Sequence, residues 1–317
     1  MRRFRTIITA PDYFDDAARG LIRSYADLQV GKFERSELIE AVKGADALFI
    51  RVDTAVDREL IDSAPRLKVI ASGTTGVNHI DVKYAGKKGI KIFHLHGQHT
   101  RPAAEHAFGL MFALIRKTQG AHASMLRGEW TRGRYIGAHL KGRFLGIVGL
   151  GRIGREVSRF ARSMEMHVLA YDPYVSDGVF ERMRVKRTHD LKTLLGTCHI
   201  VTLHAELTPE TKGMIGRHEI GWMMKGSFLI NTARGEMVDP EALVDALAGG
   251  NLAGAAIDVY VKEPPPRDDP LVAYARTHEN LILTPHIAGS SHEAIREVGE
   301  YLAGKVKEYL LKKEGRA

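Results

Sequence analysis

Residues 145–154 read LGIVGLGRIG. An apolar run, Leu145 to Val148, breaks at Gly149 and passes directly into a helical pattern with Ile153, Val157, Phe160, Ala161 and Met164 facing inward. The spacing Gly149-x-Gly151-x-x-Gly154 falls at this junction. Gly149 permits a tight turn, Gly151 lets a pyrophosphate approach the backbone, and Gly154 lets helix and strand pack closely. The helix start then offers unpaired N–H groups and a partial positive charge to phosphates. Glycine-rich turns are common, so context decides. A second apolar strand, His167 to Tyr171, follows and ends in Asp172, where a carboxylate meets an adenosine ribose. An acid there repels a 2′-phosphate, and Pro173 and Tyr174 bring no arginine to receive one, so NAD is expected over NADP.

Working outward, the segment 99–288 carries six strand-like runs, at 145–148, 167–171, 200–203, 228–231, 255–258 and 281–284, mostly separated by helical patterns. Six parallel strands around a glycine-rich turn predict a doubly wound Rossmann sheet. Upstream, Thr6 to Thr9, Ala47 to Ile50, Leu67 to Ala71 and Ile90 to Phe93 alternate with amphipathic stretches near 13–25, 35–43 and 56–63. That alternation predicts a second, smaller parallel α/β domain of flavodoxin-like type. The helix after the last strand, about 293–312, is expected to return to it. The smaller domain would then be discontinuous, residues 1–98 and 289–317, with 99–288 as the dinucleotide domain. An apolar helix over 103–115, with Pro102 in its first turn, is expected to be buried between domains or subunits.

With 317 residues there is length for two cores. No apolar run reaches the roughly 20 residues of a membrane span. The opening MRRFRTIITAP reads as a first strand and not as a signal peptide. A single cysteine, Cys198, excludes an internal disulfide and suits a cytoplasmic protein. The net charge of +8 comes from scattered basic residues without a nucleic-acid module, so it is read as a general surface property that also attracts anionic substrates and cofactors, with nucleic-acid binding a minor alternative.

Several runs of the larger domain end in polar residues that a buried sheet does not need: His204, Asp258, Arg234 in NTARG and His286 in PHIAGS, with Glu263 in a nearby loop. All fall at strand carboxyl ends, where open α/β sheets bind ligands. Hydride transfer to a 2-oxo acid needs a planar cation to grip or polarise the substrate, a histidine to supply a proton, and an acid to orient it. Arg234, His286 and Glu263 match those needs. The motif GTTGVNHID, 73–81, follows another strand, and Gly73 and Gly76 allow its backbone N–H groups to converge.

Taken together, GVNHID (76–81), LGIVGLGRIG (145–154), LTPETKGMIG (207–216), MKGSFLINTARGEMVD (224–239), LAGAAIDVYVKEP (252–264) and NLILTPHIAGS (280–290) resemble the D-isomer-specific 2-hydroxyacid dehydrogenase family over nearly the whole chain. The resemblance implies Arg234 as substrate-binding and carbonyl-polarising, His286 as acid/base and Glu263 as its partner. It places Gly149, Gly151, Arg152, Ile153, Gly154, Asp172, His204, Thr232, Ala233 and Asp258 on the cofactor, Asp258 at the nicotinamide carboxamide. It places the substrate on Arg51, Gly76, Val77, Arg234 and His286. Residues 128–154 are closest to the pattern of D-3-phosphoglycerate dehydrogenases, which makes Arg51, Arg132, Arg134 and Lys141 candidate phosphate or subunit contacts. A C-terminal regulatory domain is expected to be absent. Two departures stand out: His94, His96 and His99 lie where relatives usually show Asn and Pro, and Glu206 replaces a usual proline. A variation of the substrate loop is preferred to a metal site there. The expected protein is thus an NAD-dependent dehydrogenase (EC 1.1.1 class), a homodimer. Its candidate pairs are 3-phosphoglycerate/phosphohydroxypyruvate and glyoxylate/hydroxypyruvate. An NAD(H)-sensing corepressor on the same fold is the competing reading.

Overall fold

The computed structural model describes residues 3–95, 97 and 99–315. The chain divides into two compact units, one running through His99 and resuming at Ser290, the other Thr100–Gly289.

The first unit holds β1 (Phe4–Ile8), β2 (Ala26–Val30), β3 (Ala47–Ile50), β4 (Val69–Ser72) and β5 (Lys91–Phe93), all parallel, in the order β2-β1-β3-β4-β5. A strand buried on both faces must be apolar throughout. In β3, Ala47 and Phe49 enter one core cluster while Leu48 and Ile50 enter the other. The helix His292–Lys313, capped by Ser291 accepting from Ala294 N–H, closes the first of these cores with Val298, Leu302, Val306 and Leu310.

The second unit holds β6 (Phe144–Val148), β7 (His167–Tyr171), β8 (Lys186–Arg187), β9 (Ile200–Leu203), β10 (Ser227–Asn231), β11 (Leu252–Ile257) and β12 (Leu281–Leu283). They form a parallel sheet in the order β12-β11-β10-β9-β6-β7-β8. The direction of winding reverses between β6 and β9, the switch point at which a doubly wound sheet opens its ligand crevice. The same two-faced logic holds: Leu229 points to one core and the adjacent Ile230 to the other. The helix Pro240–Ala248 starts as its sequence dictates, with Asp239 accepting from Ala242 N–H and proline at the first helical position.

Two expectations are corrected. The larger sheet has seven strands instead of six, the addition being the two-residue edge strand β8. The first unit gains β2, whose ADLQV is too polar to stand out, because as an edge strand it is only partly buried. The apolar helix spans Thr100–Ile115 and packs in its own unit's core beside the helix Arg152–Ser163. Its open side carries Arg101, Glu105 and Phe112, which is 37% exposed.

Candidate active site

The glycine-rich turn follows β6. Gly149 has φ +91°, a region L side chains rarely adopt, and a Cβ there would lie 2.6 Å from Ala205 N. A Cβ on Gly154 would lie 2.2 Å from Gly149 O, so helix and turn touch backbone to backbone. Nothing lies within 4 Å of a Cβ built on Gly151, which leaves the approach to the helix open. The helix Arg152–Ser163 has no side-chain cap at Gly151, so its first N–H groups face the turn undischarged, with Arg152 exposed and Ile153 half-buried beside them. Asp172, after β7, accepts from Leu150 N–H (2.8 Å) with one oxygen and from Tyr174 (2.9 Å) and Val175 (3.1 Å) N–H with the other. It therefore fixes the turn from the end of β7. Tyr174 donates its hydroxyl to Glu210, in the loop after β9. His204, just past β9, pairs Nε2 with Thr202 Oγ1 (2.9 Å), and burial pushes it down to about 3, so the ring is neutral. After β10, Thr232 is buried and its Oγ1 has no partner among the described residues, while Ala233 is buried beside it. An uncapped helix start and an open glycine at the end of β6, and an orphaned buried hydroxyl at the end of β10 on the other side of β9, fit a dinucleotide.

The second group sits at the ends of β10, β11 and β12. Asn231, 1% exposed, accepts from Ala233 N–H (3.0 Å) and donates to Arg234 O (2.9 Å), clasping the NTARG turn from both sides. Gly235 lets that turn lie on the next loop: a Cβ there would meet Tyr260 C at 2.1 Å. The same loop holds Glu263, whose Oε1 accepts from Tyr260 N–H (3.0 Å) and whose Oε2 meets His286 Nδ1 at 2.6 Å. Burial pushes the Glu263 carboxyl up, but the His286 hydrogen bond and charge, the Tyr260 N–H and Arg234 outweigh it and hold the group below its ordinary value. An ionised carboxylate only accepts, so His286 carries a hydrogen on Nδ1, and Nε2 bonds to no described residue. The three side chains nominated from sequence are thus brought together.

His286 itself has φ +52°. The buried carboxylate of Asp258 holds that conformation, accepting from Ile287 N–H (3.0 Å), Ala288 N–H (2.9 Å) and Thr284 Oγ1 (2.5 Å), while Asp258 O accepts from His286 N–H (2.8 Å). Burial raises the Asp258 carboxyl, yet these donors together with His106 keep it below the usual range. His106, from the apolar helix, reaches Thr284 Oγ1 at 3.1 Å and Asp258 Oδ1 at 3.5 Å. Asp258 thus serves the histidine loop, a role the sequence does not suggest. Asn231, Thr284 and His106 were not nominated either. The one visible signal was His106, a titratable residue directly before the apolar run Ala107–Ile115.

Arg51, Gly76 and Val77 belong to the first unit. The Arg51 guanidinium lies 3.6 Å from the Tyr13 ring centroid, and burial holds its pKa below the ordinary value against Tyr13 and Asp53. Gly76 and Val77 lie in the loop after β4. His94 Nδ1 and His99 Nε2 approach the carbonyls of Thr75 (3.1 Å) and Gly73 (3.3 Å) in that loop, and His96 lies outside the described residues.

A sequence profile described as "D-isomer specific 2-hydroxyacid dehydrogenase, NAD binding domain" matches residues 108–288. The chain belongs to this family. Two similar relatives are D-3-phosphoglycerate dehydrogenases. That of Methanocaldococcus jannaschii is 38% identical over 96% of this chain and 57% of its own length. That of Archaeoglobus fulgidus is 42% identical over 85% of this chain and 50% of its own. The chain spans about half the length of these curated relatives. Among solved structures, the TT0316 protein from Thermus thermophilus aligns with TM-score 0.88 at 32% identity, covering 99% of this chain and 98% of that one. D-lactate dehydrogenase from Aquifex aeolicus, complexed with NAD and lactic acid, aligns with TM-score 0.85 at 26% identity, covering 98% and 96%. The family's cofactor, NAD, agrees with the acid at Asp172 and the open turn at Gly151.

Proposed function

We propose that this protein is an NAD-dependent dehydrogenase that interconverts a small D-2-hydroxy acid and its 2-oxo acid. The observation that carries the proposal is the Glu263–His286 pair, with Arg234 acting on the same carboxylate, at strand ends of a family NAD-binding domain. Bound NAD supplies the hydride acceptor or donor. In the reducing direction His286 Nε2 gives its proton to the carbonyl oxygen, and in the oxidising direction it takes the hydroxyl proton. Glu263 holds the ring with Nε2 outward and stabilises its protonated form. Arg234 polarises the carbonyl and grips the substrate as a planar cation.

The loop after β4, with Gly76 and Val77, is assigned to the substrate carboxylate and Arg51 to a second anionic group. That assignment, with the two D-3-phosphoglycerate dehydrogenases among the relatives, favours phosphohydroxypyruvate over glyoxylate and hydroxypyruvate. Following loss of the reduced-nicotinamide absorbance with each acid tests the proposal. Turnover with at least one is expected, and none with any short 2-oxo acid overturns it.

A homodimer through the second unit is part of the same proposal. Met125, Leu126, Trp130 and Ile136 are all at least half exposed in one segment, beside a hollow of about 300 Å³ lined by Phe112, Leu140 and Met164. Such a patch is more apolar than a monomer usually leaves open. Sedimentation velocity should show twice the chain mass, and Trp130→Glu should shift it towards the monomer; a wild-type monomer would refute the dimer.

A further inference from the structure

The loop after β4 presents its backbone unevenly. Four consecutive carbonyls are occupied: Gly73 O by His99 Nε2, Thr74 O by Leu95 N–H (3.0 Å), Thr75 O by His94 Nδ1 and Gly76 O by Thr74 Oγ1 (2.7 Å). The N–H groups of Thr74, Thr75, Gly76 and Val77 bond to no described residue. Successive N–H groups left unbonded while their carbonyls are tied back are available to an anion.

What ties the loop back starts from residues that the mechanism above does not use. Ser72, fully buried at the end of β4, has its Oγ 2.7 Å from Thr74 Oγ1 and 3.1 Å from His79 Nε2. Each hydroxyl has one hydrogen to give. Thr74 gives its hydrogen to Gly76 O, so it must accept from Ser72; Ser72, having given its own, must accept from His79 Nε2–H. The direction of donation is therefore fixed from His79 through Ser72 and Thr74 to the Gly76 carbonyl. Burial pulls His79 down to about 4, with Arg51 adding to the fall and Asp53 opposing it, so the ring is neutral at neutral pH and its one hydrogen sits on Nε2.

We infer that His79, Ser72 and Thr74 form a one-way hydrogen-bond relay that holds the 74–77 N–H groups open for the substrate carboxylate, making all three positioning residues. The inference rests on the substrate assignment above and names what enforces it. Ser72→Ala, Thr74→Val and His79→Ala each cut one link in the full-length protein. Losing a buried hydrogen bond of roughly 1.5 kcal/mol predicts a rise of about tenfold in KM for the 2-oxo acid. Turnover number and NADH affinity should change little, and His79→Gln, whose amide nitrogen matches His79 Nε2 and can still donate to Ser72, should restore most of the KM. Unchanged KM in both Ser72→Ala and Thr74→Val, or a fall in turnover at constant KM, overturns the relay. Should the wild type turn over no 2-oxo acid, the substrate assignment has failed instead. Amide hydrogen exchange at Leu95, whose N–H is bonded to Thr74 O in the tied-back loop, then judges the relay, with acceleration in Ser72→Ala supporting it and unchanged exchange refuting it.

Discussion

The loops after β4 and after β12 are built in opposite senses. In the first, side chains tie down carbonyls, and the backbone N–H groups, bonded to no described residue, are the ones we propose for the substrate carboxylate. In the second, the buried carboxylate of Asp258 ties down backbone N–H groups, and the His286 side chain, held by Glu263 through Nδ1, is the group we propose for proton transfer. The difference follows from the task. Holding a carboxylate needs only fixed partial positive charge, which peptide dipoles supply without titrating. Moving a proton needs a group that changes charge near neutral pH, which only a side chain supplies.

The sharpest way to break the comparison is to remove the titrating group. His286→Ala should lower turnover by about 10²- to 10⁴-fold, the usual contribution of a general acid, while NADH titration by fluorescence stays at the wild-type affinity. A variant that keeps more than a tenth of wild-type turnover would place the proton transfer elsewhere.

A smaller effect is expected at Glu263, which orients the group instead of reacting. Glu263→Gln keeps a hydrogen-bond partner but loses the charge, and a charge-assisted bond worth roughly 1.5–3 kcal/mol predicts a loss of about 10- to 100-fold in turnover. The same carboxylate has the smallest expected effect through stability. Its folded pKa is depressed, so its contribution is fully present above the ordinary glutamate value of about 4.3 and disappears as pH falls through the lower folded value. Denaturant titrations at neutral pH and at pH values below that point should show wild-type stability falling more steeply than that of Glu263→Gln. Equal slopes would mean that the pair does not contribute to folding.

Much of the fold could be read from pattern because both sheets are buried on both faces. Runs such as IVTL at 200–203 and ALFI at 47–50 have no other home than an interior parallel strand. The elements left out are those whose burial comes from position and not from composition. ADLQV forms β2 because β1 lies beside it, and Lys186–Arg187 pairs with β7 as an edge. The start of β11 is hidden by the small residues of LAGAA, which pack closely but carry a weak apolar signal.

The candidate site divides similarly. Arg234, Glu263 and His286 were legible because charged side chains at the ends of apolar strands are conspicuous. Asn231, Ser72, Thr74 and Thr284 were not, since a buried hydroxyl or amide has meaning only through the partner that the fold gives it. Asp258 shows the limit from the other direction: its place at a strand end was apparent, but the three protein donors on its carboxylate were not.

The left-handed backbone of His286 has a consequence for anyone evolving this protein. A non-glycine residue in that region is commonly held at a cost of about 1–3 kcal/mol, and glycine or asparagine relieves it. Selection for heat resistance alone would therefore be drawn to the position where, on the proposed mechanism, relaxation abolishes proton transfer. Screens for hardier variants should fix this codon or score turnover alongside survival.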